Sequence, residues 1–309
     1  MKNDLADPAV PLRFAGHETF PLRLLWLKKA YDVVANGGAD RRTFQEQHAI
    51  ARFGVGKNMA LAMRHWALAA GVISDGETLM LPTKFGDMIF GEKGGLDPYL
   101  ENDSTLWLIH SHLVGAPEVA TTFFYAFNLL NQASFSREDL TEAVAEVVRA
   151  RSGRATIDTI KRDVEVFVRS YVSRNSDTGE DASEPLLAEL GLLREVRSTG
   201  QLEFVRGPKH SLSDGVFAVV LKRFWSRWHP QSPTLSVEQA CYGVGSPGRI
   251  FKLDEDSLVA RLMLVAEITD GAIQWTDTAG LRQVALTTQL GCVNELDLIR
   301  LSYNCAEAA

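Results

Sequence analysis

The chain has 309 residues, 46% of them apolar and 23% charged, with a formal net charge of −7. That length allows one large domain or two to three small ones, and the composition is ordinary for a globular protein that buries a core. The acidic balance excludes a surface coated in positive charge, although a local basic face can still hold nucleic acid.

No stretch approaches the roughly 18 uncharged apolar residues of a membrane span, and the start MKNDLADPAVPLRF has no apolar core of a secretory signal. A cytoplasmic, membrane-free protein is therefore expected. Cys241, Cys292 and Cys305 are too scattered for a disulfide framework or a C-x-x-C metal pair. His110 and His112 point to different faces of a helix, against a metal pair.

In chain order, FPLRLLWLKKAYDVVA (20–35) has apolar residues at helical spacing, closed by Gly37-Gly38. TFQEQHAIARFG (43–54) reads as a helix begun by Thr43 with Glu46 in a capping box. A Gly-Val-Gly turn leads into the helix KNMALAMRHWALAAG (57–71), and VISDGETLMLP (72–82) carries the Asp-Gly signal of a hairpin. This is the element order of a winged helix-turn-helix.

The stretch 97–130 predicts helices, and its dense aromatics (Tyr99, Trp107, Phe123, Phe124, Tyr125, Phe127) suit a core better than base stacking. The pattern then recurs. SREDLTEAVAEVVRAR (136–151) opens with a Ser136/Asp139 capping box, TIDTIKRDVEVFVRSYV (156–172) follows, and 190–207 supplies two strands around a Ser-Thr-Gly turn. The run SRNSDTGEDASE (173–184) is the clearest loop, and the CAEAA tail is expected to fray. A looser third copy covers LSVEQACYG (235–243), 254–271 and 272–286. The expected fold is mainly α with small β-hairpins: tandem winged-helix-like units on a helical core. Expected boundaries are 1–95, 96–210 and 211–309.

The fragment FGVGKNMALAMRHW (53–66) resembles a phosphate-gripping P-loop, G-x-x-x-x-G-K-[ST]. Ala51 stands where the first glycine belongs, Asn58 replaces the hydroxyl residue, and the preceding segment reads as helix. No nucleotide cofactor is expected there.

The charge balance favours a different phosphate. From Arg41 to Trp66 there are five basic side chains, Arg41, Arg42, Arg52, Lys57 and Arg64, against Glu46 alone. Lys57 at a helix start can hold a backbone phosphate, and Asn58 and Arg64 have the chemistry to read base edges. Between Arg149 and Arg162 the imbalance repeats, with Arg154, Lys161 and Arg162 among five bases against Asp158. Lys209, Arg249 and Lys252 stand beside Gly/Pro turns able to expose amides. Double-stranded DNA is the expected partner.

For chemistry, FAGHETFPLR (14–23) places His17 beside Glu18, with Arg23 further on. A His–carboxylate pair can activate water while a cation steadies a phosphorane. Alternatively, Glu18 and Thr19 cap the next helix while His17 bonds the backbone. Asp254, Glu255 and Asp256 can hold Mg²⁺ or simply complement a helix dipole.

The ordered pieces GHETFPLRLLWLKKA, FGVGKNMALAMRHWALAAGVI, LDPYLENDSTLWLIH, TTFFYAFN, IKRDVEVFVRSYV, PLLAELGLL, FVRGPKHSLSDGVFA, GSPGRIFKLDEDSL and TAGLRQV resemble one bacterial family. It is the domain-of-unknown-function family encoded beside phosphoadenosine-phosphosulfate-reductase-like proteins, whose best-described members are the B components of Ssp-type DNA phosphorothioation systems. The resemblance spans roughly residues 14 to 285.

It implies a DNA-nicking protein of an antiphage defence operon, working with a cysteine desulfurase, an ATP-pyrophosphatase-like sulfur activator and an ATPase. On its GHETF, GVGKN and KRD motifs, His17, Glu18, Lys57, Lys161, Arg162 and Asp163 are candidate functional residues, with Mg²⁺ or Mn²⁺ as the expected ion. A non-catalytic DNA-binding adaptor and a protein-interaction scaffold are the alternatives.

Overall fold

The computed structural model describes residues 4–173, 185–278 and 280–304, without the side chains of residues 4, 46–48, 50 and 304. Helix α1 (Trp26–Val34) buries Trp26, Leu27, Ala30, Tyr31 and Val34, one stripe of the expected amphipathic pattern. It starts six residues later than the apolar run because Phe20 and the residues before it form tight turns instead. Thr43 does not cap a helix. Asp40 accepts from Arg42 N and opens a 3-10 turn (Arg41–Phe44), and α2 (Glu46–Phe53) begins after it.

Next come α3 (Lys57–Ala69), the hairpin β1 (Ile73–Asp75) and β2 (Met80–Pro82), and α4 (Lys84–Phe90), capped by Thr83. Ala39 pairs with Met80 of β2, so a one-residue bridge lies against the second hairpin strand.

Helix α5 (Asp103–Gly115) buries every residue from Ser104 to Ser111, apolar on all sides as a central helix must be. Trp107 and His110 find their partners in distant elements. Trp107 Nε1 donates to Ser211, while Ile250 O accepts from His110 Nε2 at 2.9 Å, leaving Nδ1 to accept from Tyr171 at 2.7 Å. Burial pushes His110 down to about 3.

The second repeat runs α6 (Thr121–Asn128), β3 (Ser134–Phe135), α7 (Arg137–Ala150), α8 (Ile157–Tyr171), β4 (Leu193–Val196) and β5 (Gln201–Phe204). The Ser136/Asp139 capping box forms in both directions, as expected. The third runs α9 (Asp214–Trp228), β6 (Thr234–Ser236), α10 (Val237–Tyr242), α11 (Pro247–Ile250), α12 (Glu255–Ile268), β7 (Ile273–Thr278) and β8 (Leu281–Leu286), followed by α13 (Glu295–Asn304).

The two three-stranded sheets have the orders β3-β5-β4 and β6-β8-β7, all antiparallel. In each, a short strand before the helices pairs with the second strand of the hairpin after them. The chain is thus largely helical with small antiparallel sheets. Buried apolar residues from Leu22 to Tyr303 join one core. Trp107, Phe123, Phe124 and Phe127 are part of the buried interior, whereas Tyr99 is 65% exposed. Among the described residues, no helix is long and apolar enough to cross a membrane. Most of the expected loop at 173–184 and the CAEAA tail lie outside the described residues.

Two expected DNA-facing lysines are inside the protein. Lys252 is fully buried, donating to Phe127 O at 2.6 Å and sitting 3.9 Å from the centre of the Phe204 ring. Lys209 is 8% exposed and donates to Val205 O at 3.0 Å. Lys252 serves a carbonyl in the last turn of α6 and Lys209 one in the loop after β5, which turns both side chains inward.

Burial, with Arg206 and Arg249 nearby, holds Lys252 well below the usual lysine range. An unfolded lysine titrates near ~10.4. Between the folded pKa and that value the unfolded chain binds a proton the folded chain lacks, so this group makes stability rise with pH. The unfolding free energy, measured by denaturant titration from pH 7 to 10, should show this rise in wild type and a flatter profile in Lys252→Met.

Candidate functional site

The GHETF turn is built from conformations that side chains usually avoid. Ala15, Glu18 and Thr19 have φ of 61°, 48° and 66°, each left-handed conformation costing about 1–2 kcal/mol in a non-glycine residue. Two successive turns result, with Glu18 N donating to Ala15 O and Phe20 N to His17 O. Offsetting this strain are contacts from elements far along the chain.

Asp163 on α8 accepts from Ala15 N at 3.0 Å and from His17 at 2.7 Å. Thr19 N donates to His17 Nδ1 at 3.1 Å, so Nε2 carries the proton that goes to the Asp163 carboxylate. His17 and Asp163 are each 3% exposed. Trp66 on α3 stacks on His17, with centroids 6.1 Å apart, and donates to Phe20 O. Arg169 on α8 donates to Thr19 O at 3.3 Å.

His65, absent from the candidates drawn from sequence, completes the cluster. Its ring meets His17 edge-on at 5.9 Å, and a Cβ on Gly16 would lie 2.3 Å from its Nδ1. Gly16 is therefore needed for close approach, and that glycine beside His17 is the one sequence signal of a packed neighbour. Burial and the His17 ring push His65 down to about 3, with Arg13 and Arg64 adding to the effect against Asp163.

The structure thus brings His17 and Asp163 into direct contact, with Glu18 half-buried between them in sequence and at the turn's left-handed corner. Arg23 lies elsewhere, over the faces of Phe20 and Trp26 at 5.8 and 5.5 Å. Both ring nitrogens of His17 serve the turn, so the geometry makes it a positioning residue.

The cations divide into three groups. Arg42, Arg154, Lys161 and Arg162 are exposed and form no ion pair among the described residues. Lys57 and Asn58 are exposed on the first turn of α3, whose N-cap Gly56 offers no side chain. Arg41 and Arg64 are drawn to the same carboxylate, Asp75 of the hairpin, at 3.0 and 3.7 Å. Arg64 is therefore turned toward the hairpin instead of outward. Arg249 is half-buried and bonds Tyr242 O.

The segment before Gly54-Val55-Gly56 is α2, so the P-loop's strand is missing. Asp254 caps α12 by accepting from Ser257 N, and Glu255 pairs with Arg282, so two of the acidic trio serve the helix and an ion pair. Among the described residues no group of three or more His, Cys, Asp or Glu is placed to hold a metal ion.

The family described as "Protein of unknown function (DUF4007)" matches residues 14–303. The chain belongs to that family. This DUF4007 chain is also similar along its length to two solved structures. One is a magnesium ion-bound SspB crystal structure, at 29% identity and TM-score 0.85, covering 100% of this chain and 92% of that one. The other is an SspB crystal structure at 28% identity and TM-score 0.85, covering 99% and 92%. No curated protein matches.

Truncating Asp163 leaves a strained turn without its acceptor. Asp163→Ala should lower the unfolding free energy by about 3 kcal/mol in denaturant titration, since two buried hydrogen bonds to a charged group are lost.

Proposed function

We propose that this chain is the SspB-type component of a DNA phosphorothioation system, binding duplex DNA and nicking one strand. The observation that supports DNA binding best is the placement of exposed cations beside the strained turn. Arg154 precedes α8, and Lys161 and Arg162 stand on its exposed side, while the next residue, Asp163, holds the GHETF turn from within. Phosphates resting on those cations would bring the DNA backbone across the turn. The full-length likeness to SspB supports the system to which it belongs.

Each repeat of helix, short strand, helices and hairpin is read as a winged helix, with α3, α8 and α12 in the position of the recognition helix. The first two carry the cations, so DNA is assigned to them. Asn58 and Lys57 open α3 at the surface.

For nicking, Glu18 is the group at the turn that can take a proton. Its carboxylate removes the proton of a water whose oxygen attacks phosphorus, the P–O bond to the leaving oxygen breaks, and that oxygen is protonated from solvent. His17 and Asp163 fix the turn, and the exposed cations of α8, Lys161 and Arg162, supply charge for the phosphorane, whereas Arg23 is held over Phe20 and Trp26. Among the described residues no group of three or more His, Cys, Asp or Glu is placed to hold Mg²⁺ or Mn²⁺. A cysteine desulfurase, an ATP-pyrophosphatase-like protein and an ATPase are the partners this reading entails. One observation favours the non-catalytic adaptor instead: His17, buried and bonded at both nitrogens, is unavailable as a base.

Two measurements test the reading. Glu18→Gln should nick supercoiled plasmid at least ~100-fold more slowly than wild type. Equal nicking removes Glu18 from the chemistry, and no nicking by wild type, with or without Mg²⁺, leaves the adaptor. The Arg154→Ala/Lys161→Ala/Arg162→Ala variant should weaken duplex binding and reduce the log–log salt slope by about 2–3. Lys252→Met should leave that slope unchanged, and an unaltered slope in the triple variant would overturn the assigned face.

A further inference from the structure

A cavity of about 500 Å³ lies between α5 and α9, and it shares no residue with the His17 cluster. Its volume falls within the range of small-molecule sites. The room comes from small residues at the end of α5. Gly115 adjoins open space, where an added Cβ would meet nothing within 4 Å, and Ala116 follows it in the lining.

The lining has two parts. The apolar part is formed by Val119, Val220, the buried Phe224 and the half-buried Trp228. Interleaved with it are three cations, Lys222, Arg223 and Arg227, the last lying over the Trp228 ring at 5.8 Å, and one lining carboxylate, Glu295. The arginines are anchored. Arg223 donates to Glu295 through Nε at 3.0 Å and also through Nη2, and to Ser111 Oγ at 3.4 Å. That leaves N–H donors over on both of its terminal nitrogens. Arg227 grips Glu118 with both terminal nitrogens, at 3.0 and 3.1 Å.

Lys222 differs from both. It is half-buried and forms no hydrogen bond or ion pair with any described residue. An ammonium placed in a cavity lining without a protein partner can take an anionic ligand as its counter-charge. His112, also in the lining, has a buried Nε2 with no hydrogen-bond partner. Burial, reinforced by Arg223, holds this ring neutral, so it can add a hydrogen bond but no charge.

Cations with donors to spare and an accessible indole in one cavity suit a ligand that carries both an anion and a flat ring. We infer that the cavity between α5 and α9 binds a nucleotide, its phosphate on Lys222 and Arg223 and its base against Trp228. This site is separate from the rejected P-loop and independent of strand nicking. The same chemistry is carried by a free nucleotide and by the phosphorylated end of a DNA strand.

Isothermal titration of the full chain with AMP, ATP, inorganic phosphate and the 5′-phosphorylated dinucleotide pTpT tests the assignment. Either nucleotide or the dinucleotide should bind in the micromolar to low-millimolar range, at least ~10-fold tighter than phosphate alone. Lys222→Met should weaken that binding by ~10-fold or more, whereas the Arg154/Lys161/Arg162 triple alanine variant should retain it. Tighter pTpT than AMP would mark a strand end as the source, and the reverse a free nucleotide. The inference is overturned if none of the three binds, if phosphate binds equally well, or if Lys222→Met binds as wild type does. Melting of Lys222→Met at the wild-type temperature separates a lost contact from lost folding.

Discussion

A helix buried on every side has no water to satisfy its polar groups, and α5 imposes that condition on this fold. Trp107, His110 and Ser111 sit in its interior turns and must find partners in protein. Those of Trp107 and His110 come from α8, α11 and the segment before α9, while Ser111 bonds Leu108 O within α5 and accepts from Arg223 of α9, so the second and third repeats close around α5. The first repeat reaches it through apolar and ring contacts, such as Phe85 against His112 at 5.1 Å. One continuous core follows, although the chain carries three separate runs of the same element order.

Rigidity of that core is what allows a strained turn to persist at the surface. Three left-handed residues within five would relax if the turn hung free. They are held because α3 presents His65 and Trp66 on one side while α8 presents Asp163 and Arg169 on the other. The positions of Arg154, Lys161 and Arg162 are set by the same helix packing, which couples the cationic surface to the turn.

Local features were legible in the amino-acid sequence. The Ser136/Asp139 box, the Asp75-Gly76 hairpin and the helices at 57–71 and 156–172 all rest on residues a few positions apart. Helix α2 starts three residues after Thr43 because Asp40, upstream of it, takes the Arg42 N–H and opens a 3-10 turn there. The sites of the cations were far less legible. Lys252 finds its acceptor 125 residues away and Lys209 finds its own on the adjoining turn, so neither fate is written in local charge density. His17 and Asp163 share a motif set, yet their contact spans 146 residues and is visible only once α8 is packed. His65 and Lys222 carried no spacing that distinguished them from ordinary helix residues.

That separation of 146 residues has a bearing on synthesis. A ribosome adding about 5–20 residues per second exposes the GHETF segment some 7–30 s before Asp163 emerges. During that interval the turn has α3 beside it but lacks the Asp163 acceptor and the Arg169 donor. The amino-terminal segment must therefore remain uncommitted while the first repeat is made, and it closes over α3 only when the second repeat has been delivered.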